Sequence, residues 1–168
     1  EFNQYFPKNG WVEHNPNEIW LTTLKALKKV IKRASLLKGK ILSIGITNQR
    51  ETTILWNKKT GKPVYNAIVW QDRRTQDYCE ELKKKNYEKI FRKKTGLFID
   101  PYFSATKIKW ILENVKNVKK LLKSNNLLFG TVDTFLIWKL TNGQHHLTEA
   151  TNACRTMLFN INNNKWDK

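Results

Sequence analysis

The sequence predicts an α/β fold, and three observations carry that prediction. Short apolar runs of strand length alternate along the chain with longer stretches in which apolar residues recur every three or four positions. Capping and turn residues separate the two patterns, with no linker-like stretch and no internal repeat between them. Hydrophobic residues make up 40% of the 168 residues and include seven Trp and eight Phe, enough to fill one core and to exclude a wholly disordered chain.

The elements follow in order. Asn15-Pro16-Asn17-Glu18 marks a helix start: Asn15 caps, Pro16 suits the first turn, and Glu18 occupies the capping-box position. Trp20, Leu24, Leu27 and Ile31 then form one apolar stripe, and Gly39 ends the segment. Residues 41–47 read as a buried strand that stops at Asn48-Gln49-Arg50-Glu51. Residues 52–56 and 64–70 read as two further strands, paired as a hairpin or as neighbours across a polar turn at Thr60-Gly61. Asp72 can cap a helix that runs to about Lys85, and a helix near residues 87–94 stops at Gly96. Ser104 can cap the next helix, with Ile108, Ile111, Leu112 and Val115 as its stripe, and a Lys-rich helical stretch continues to Ser124. A short strand at 127–129 and a helix at 132–140, closed by Asn142-Gly143, precede a tail of loops and short strands.

The net charge of +17 raises nucleic acid as a partner. The excess is mostly Lys, however, and it is spread out. Lys28-Lys29, Lys83-Lys84-Lys85, Lys93-Lys94 and Lys119-Lys120 all sit in helical segments beside apolar positions, as solvated helix faces do. Arg, the better reader of phosphate and guanine, is scarce, and Asn is abundant beside Lys, which points to a compositional bias. No nucleic-acid partner is therefore expected. No apolar run is long enough to cross a bilayer, so no membrane partner is expected either. The first residues do not form a signal peptide, which makes a cytoplasmic setting the expectation. Cys79 and Cys154 make no disulfide framework and read as free thiols.

Three constellations could carry chemistry. Asn48-Gln49-Arg50-Glu51 places a charged pair at the C-terminal end of an apolar strand, where open α/β sheets bind ligands. Arg50 supplies donors and Glu51 acceptors, so together they could grip a polyol; an ordinary loop ion pair is the alternative. In Trp70-Gln71-Asp72-Arg73-Arg74, Trp70 is either a wall against a carbon chain or core, and Asp72 is a helix cap rather than a catalytic base. In Asp100-Pro101-Tyr102-Phe103-Ser104, the Tyr102 phenol either bonds a hydroxyl or is a half-buried loop aromatic. There is no GxxxxGK[ST] or GxGxxG loop, no zinc-like Cys/His spacing, and His145-His146 reads as an exposed pair.

Taken together, these segments resemble the glycerol kinases of the FGGY family of carbohydrate kinases. The resemblance runs in order through nearly the whole chain. It takes in Gly10-Trp11-Val12-Glu13-His14, residues 45–53, 61–74, 96–114, 128–138 and 151–160. Residues 102–114 fit the first FGGY signature through Tyr102, Ser104, Lys107, Ile108, Trp110, Ile111, Glu113 and Asn114, which identifies the superfamily. Asn-Gln-Arg-Glu and Trp-Gln-Asp-Arg-Arg point to the glycerol branch. Glu149, Ala150 and Cys154 depart from the usual Thr-Asp-Tyr-Thr-Asn-Ala-Ser-Arg-Thr tail, a matter of local packing.

The resemblance implies a ribonuclease H-like, actin-like ATPase fold with a mixed sheet and flanking helices. Residues 1–168 would be part of the first lobe, without its first strands, and the second lobe would be absent. It implies that Arg50, Glu51 and Tyr102 bind hydroxyls of glycerol or glycerol 3-phosphate and that Trp70 packs on the carbon backbone. ATP and Mg2+ would serve the intact enzyme, a homo-oligomer. No catalytic, cofactor-binding or metal-binding residue is expected within the chain, because the base and the phosphate hairpin of the family lie outside it. The 168 residues alone are thus expected to be inactive. Another FGGY sugar kinase, a basic ribonuclease H-like nucleic-acid module and an actin-like scaffold are the competing readings.

Overall fold

The computed structural model describes residues 1–167, all of the expected domain but Lys168. The chain opens with two short strands that the sequence pattern did not announce, β1 (Gln4–Tyr5) and β2 (Glu13–His14). Helix α1 (Pro16–Leu36) follows. Asn15 caps it as expected, its side chain accepting from the Asn17 N–H. Glu18 departs from the capping-box expectation: its carboxylate accepts from the Asn3 N–H at 3.0 Å and the Tyr5 hydroxyl at 2.5 Å, fastening β1 to the helix.

Residues 41–47 overturn one expectation. The segment joins no strand, and Ile41, Leu42 and Ile44 are exposed. A strand is stabilised by its ladder, and among the described residues nothing pairs with this backbone. Only Ile46 packs on the core.

Strands β3 (Ile54–Asn57) and β4 (Ala67–Ile68) are neighbours, as expected. Thr53 and Ile68 exchange two backbone hydrogen bonds at 2.9 and 3.0 Å, and Val64 donates to Leu55. Helices α2 (Gln76–Lys84), α3 (Glu88–Thr95), α4 (Ser104–Asn114) and α5 (Val118–Lys123) come next. Gly96 ends α3 in the left-handed region (φ 73°), a conformation that glycine adopts without a Cβ penalty. Strand β5 (Leu127–Gly130), helices α6 (Val132–Leu140) and α7 (Ala150–Ala153), and strands β6 (Phe159–Asn160) and β7 (Lys165–Trp166) complete the order.

The strands run β1-β2-β4 in one sheet, β3-β5 in a second and β6-β7 in a third, with the Thr53–Ile68 bridge joining the first two. Every pairing among the described residues is antiparallel, so of the expected mixed sheet only the antiparallel part is formed here. The β3–β5 ladder divides the core. Ile54 and Trp56 face Phe135, Leu136 and Trp138 of α6, while Leu55 and Ile68 meet Ile111 of α4 and Val118 of α5. This alternation is what a strand covered on both faces requires. The expected stripe on α4 is formed: Ile111 is fully buried, and Ile108, Leu112 and Val115 pack around it.

Candidate functional site

Two buried polar networks shape the region where the sequence placed its candidate residues. The first holds the turn after Trp70. The Arg74 side chain is fully buried and forms two hydrogen bonds to Asp72, each 2.9 Å, and a third to Glu13 at 2.7 Å. Its guanidinium lies 3.8 Å from the ring centroid of Trp11 and 4.6 Å from that of Trp110. Burial alone would raise the Glu13 pKa, but bonds from Tyr65, Asn66 and Arg74 hold it below the ordinary carboxylate value. Asp72 also accepts from the Val12 N–H at 2.6 Å. It is therefore not the helix cap expected of it. Helix α2 starts at Gln76 with no side-chain cap, and Asp72 anchors the turn to the first sheet instead.

The second network begins at α4. Ser104, expected as its cap, lies inside the helix, and its hydroxyl donates to the Glu51 carbonyl at 3.3 Å. The Ala105 N–H donates to the Thr156 carbonyl at 2.9 Å. The Lys107 side chain is wholly buried and turns back to donate to the carbonyls of Pro101, Tyr102 and Phe103 at 2.8, 2.5 and 3.3 Å. Burial pushes its pKa down to about 7, against the opposing pull of Asp72, Glu51 and Asp100. One helix start thus fixes three segments: the loop before β3 at Glu51, the turn bearing Tyr102, and the tail near Arg155.

Of the four residues the sequence singled out, the structure gathers three. Trp70 and Tyr102 are half-buried with ring centroids 5.5 Å apart. Glu51 is buried, and its Oε1 accepts from Arg155 Nε at 2.6 Å. The Arg155 guanidinium lies 5.4 Å from the Tyr102 ring centroid and so connects the two. Arg50 stands apart. It is exposed, forms no ion pair among the described residues, and lines a cleft of about 290 Å³ with Asn48, Glu149, Thr151 and Asn152. The loop ion pair considered for Arg50 and Glu51 is not formed; Arg155 takes that place. Sequence reasoning missed Arg155, which lies 104 residues from Glu51.

Asp133 supplies a third anchor. Its carboxylate accepts from Asn48 and Thr148, each at 2.9 Å, and from the Thr131 hydroxyl, which ties the Asn48-Gln49-Arg50-Glu51 loop to α6 and the tail. His146 is exposed, as expected, with Nε2 at 2.7 Å from the Phe129 carbonyl. Cys79 and Cys154 are free thiols. No helix among the described residues is long and apolar enough to cross a membrane.

Comparison with known proteins agrees with this architecture. The model of the FGGY family of carbohydrate kinases, N-terminal domain, matches residues 1–168. Glycerol kinases of Geobacillus sp. (strain WCH70) and Parabacteroides distasonis are 58% and 59% identical over 167 residues, which is 99% of this chain. Each alignment spans 34% of the relative, so the chain covers about a third of their length. The crystal structure of Plasmodium falciparum glycerol kinase with ADP superposes with a TM-score of 0.94 at 40% identity, over 100% of this chain and 33% of that one. A ligand-bound xylulose kinase from Lactobacillus acidophilus shares the fold at 23% identity, with a TM-score of 0.81 over 99% of this chain and 32% of its own. That fold is the ribonuclease H-like, actin-like ATPase fold expected from the sequence. The chain belongs to the FGGY family of carbohydrate kinases, as its N-terminal domain.

Proposed function

We propose that this chain is the glycerol-binding part of an ATP-dependent glycerol kinase, which converts glycerol to glycerol 3-phosphate. The observation that supports this most is the joint placement of a buried carboxylate, Glu51, and a half-buried phenol, Tyr102, beside the Trp70 ring. A polyol asks for such a set: an acceptor and a donor for its hydroxyls, and an apolar face for its carbon chain. Arg50, on the neighbouring rim, would supply a further donor once a ligand spans the loop. In the phosphoryl transfer this implies, positioning and charge stabilisation supply most of the rate, and these residues supply positioning.

ATP would donate the phosphoryl group and Mg2+ would neutralise the developing charge. Among the described residues, no group of three or more His, Cys, Asp or Glu could hold that metal, and the sequence has no Gly-rich phosphate loop. Mg2+ is commonly held by one or two carboxylates together with the nucleotide phosphates, and on this reading both groups are held by other parts of the intact enzyme. A cytoplasmic homo-oligomer without a nucleic-acid partner completes the reading.

Calorimetric titration of glycerol into the intact protein, wild type and Glu51→Gln, tests it. Removing the charged acceptor should weaken binding by about tenfold or more, the usual cost of losing a charge-assisted hydrogen bond. Equal affinities would refute the assignment.

A further inference from the structure

We infer that Arg155 is a positioning residue for this site: it fixes the Glu51 carboxylate so that one oxygen alone is presented to the ligand. The inference rests on the glycerol reading and goes beyond it. Glu51 Oε1 is engaged by Arg155 Nε at 2.6 Å. Its Oε2 accepts no hydrogen bond among the described residues, yet is not one of their occluded unpaired atoms, so it keeps an open edge. A buried carboxylate free to rotate would offer either oxygen in several directions. Held by one oxygen, it offers the other in one direction, which lowers the ordering cost of binding.

Arg155 is itself built in. Its guanidinium lies 4.9 Å from the Phe103 ring centroid and 5.4 Å from that of Tyr102. A guanidinium can lie near both rings while its Nε donates to Glu51, an arrangement that the single point charge of an ammonium does not reproduce. Its segment is anchored where Thr156 accepts from Ala105 at the start of α4, the same helix end whose Ser104 grips the Glu51 carbonyl. The next residue, Met157, takes a left-handed backbone (φ 61°) that a side chain of this size rarely adopts, as a tightly determined turn requires. Burial opposes the charge of Arg155, but Glu51 and Tyr102 hold its pKa above the ordinary value, so the guanidinium stays charged.

A double-mutant cycle on the intact protein tests this, with glycerol affinity as the readout for wild type, Glu51→Gln, Arg155→Gln and the double variant. Arg155→Gln should weaken glycerol by about tenfold, and in the Glu51→Gln background the same change should cost less than about twofold, because its effect passes through Glu51. Independent, multiplying losses, or wild-type affinity in Arg155→Gln, would overturn the inference. Loss of affinity in Glu51→Gln with none in Arg155→Gln rejects Arg155 alone; no loss in Glu51→Gln rejects the glycerol reading itself. Arg155→Lys, which keeps the charge but not the plane, decides the matter if the Gln variant does not fold. It should lose about threefold or more, and wild-type affinity there counts against the inference.

Discussion

At Lys107, an ammonium that burial would neutralise is held by three carbonyl oxygens of one turn. Its folded pKa of about 7 lies below the ordinary lysine value of 10.5 that the unfolded chain retains. Between those values the unfolded chain binds a proton that the folded chain releases, so stability rises with pH across that window. Below about 7 both states are charged and the penalty is complete. Thermal denaturation of wild type and Lys107→Met between about pH 6.5 and pH 9 should therefore show wild type gaining on the variant as pH rises. A gap that does not move with pH would show that the group does not titrate there. Arg155 and Asp72 teach a related lesson. Each has its partner far along the chain, 104 residues away for the Glu51 carboxylate and 60 for the Val12 N–H. A local reading of Asp72 finds only the helix it precedes and assigns a cap; the competing N–H is beyond any window.

Among the elements, the β3–β4 connection depends on one glycine. Gly61 has φ +65°, and a Cβ there would lie 2.7 Å from Cζ3 of Trp138. Gly61→Ala should thus cost more than about 1 kcal/mol, through backbone strain and a displaced indole together. A lowered melting temperature with altered Trp fluorescence is the expected outcome, and an unchanged melting temperature the contrary one. This turn was legible from Thr60-Gly61, as were the start of α1 from Asn15-Pro16 and the end of α3 from Gly96, because local chemistry sets each of them. Residues 41–47 were not. Their composition fits a strand, but pairing is a property of two segments, and one segment cannot report the other. Ser104 misled for the same reason: its hydroxyl serves the Glu51 carbonyl, 53 residues away, and not its own helix. The candidate residues were named one by one through the family resemblance, while the Arg155–Glu51 ion pair left no signal in the sequence.

For the whole molecule, the net charge of +17 is a self-repulsion distributed over helix faces. The exposed ion pairs Arg73–Asp100, Lys83–Glu80, Lys94–Asp167 and Lys109–Glu113 contribute little against it. Raising salt from about 0.01 to about 0.1 M shortens the screening length from roughly 30 to roughly 10 Å and should raise the melting temperature. A fall would mean that attractive surface pairs outweigh the repulsion. The Arg155–Glu51 contact has a different consequence, one of timing. A bond that closes a loop of 104 residues cannot form until both ends of that long stretch are present and brought together. During synthesis, Glu51 emerges well before Arg155, so the nascent chain closes this ion pair late in its folding. Any ligand that selects the paired state would then stabilise the folded chain by mass action and leave earlier intermediates untouched.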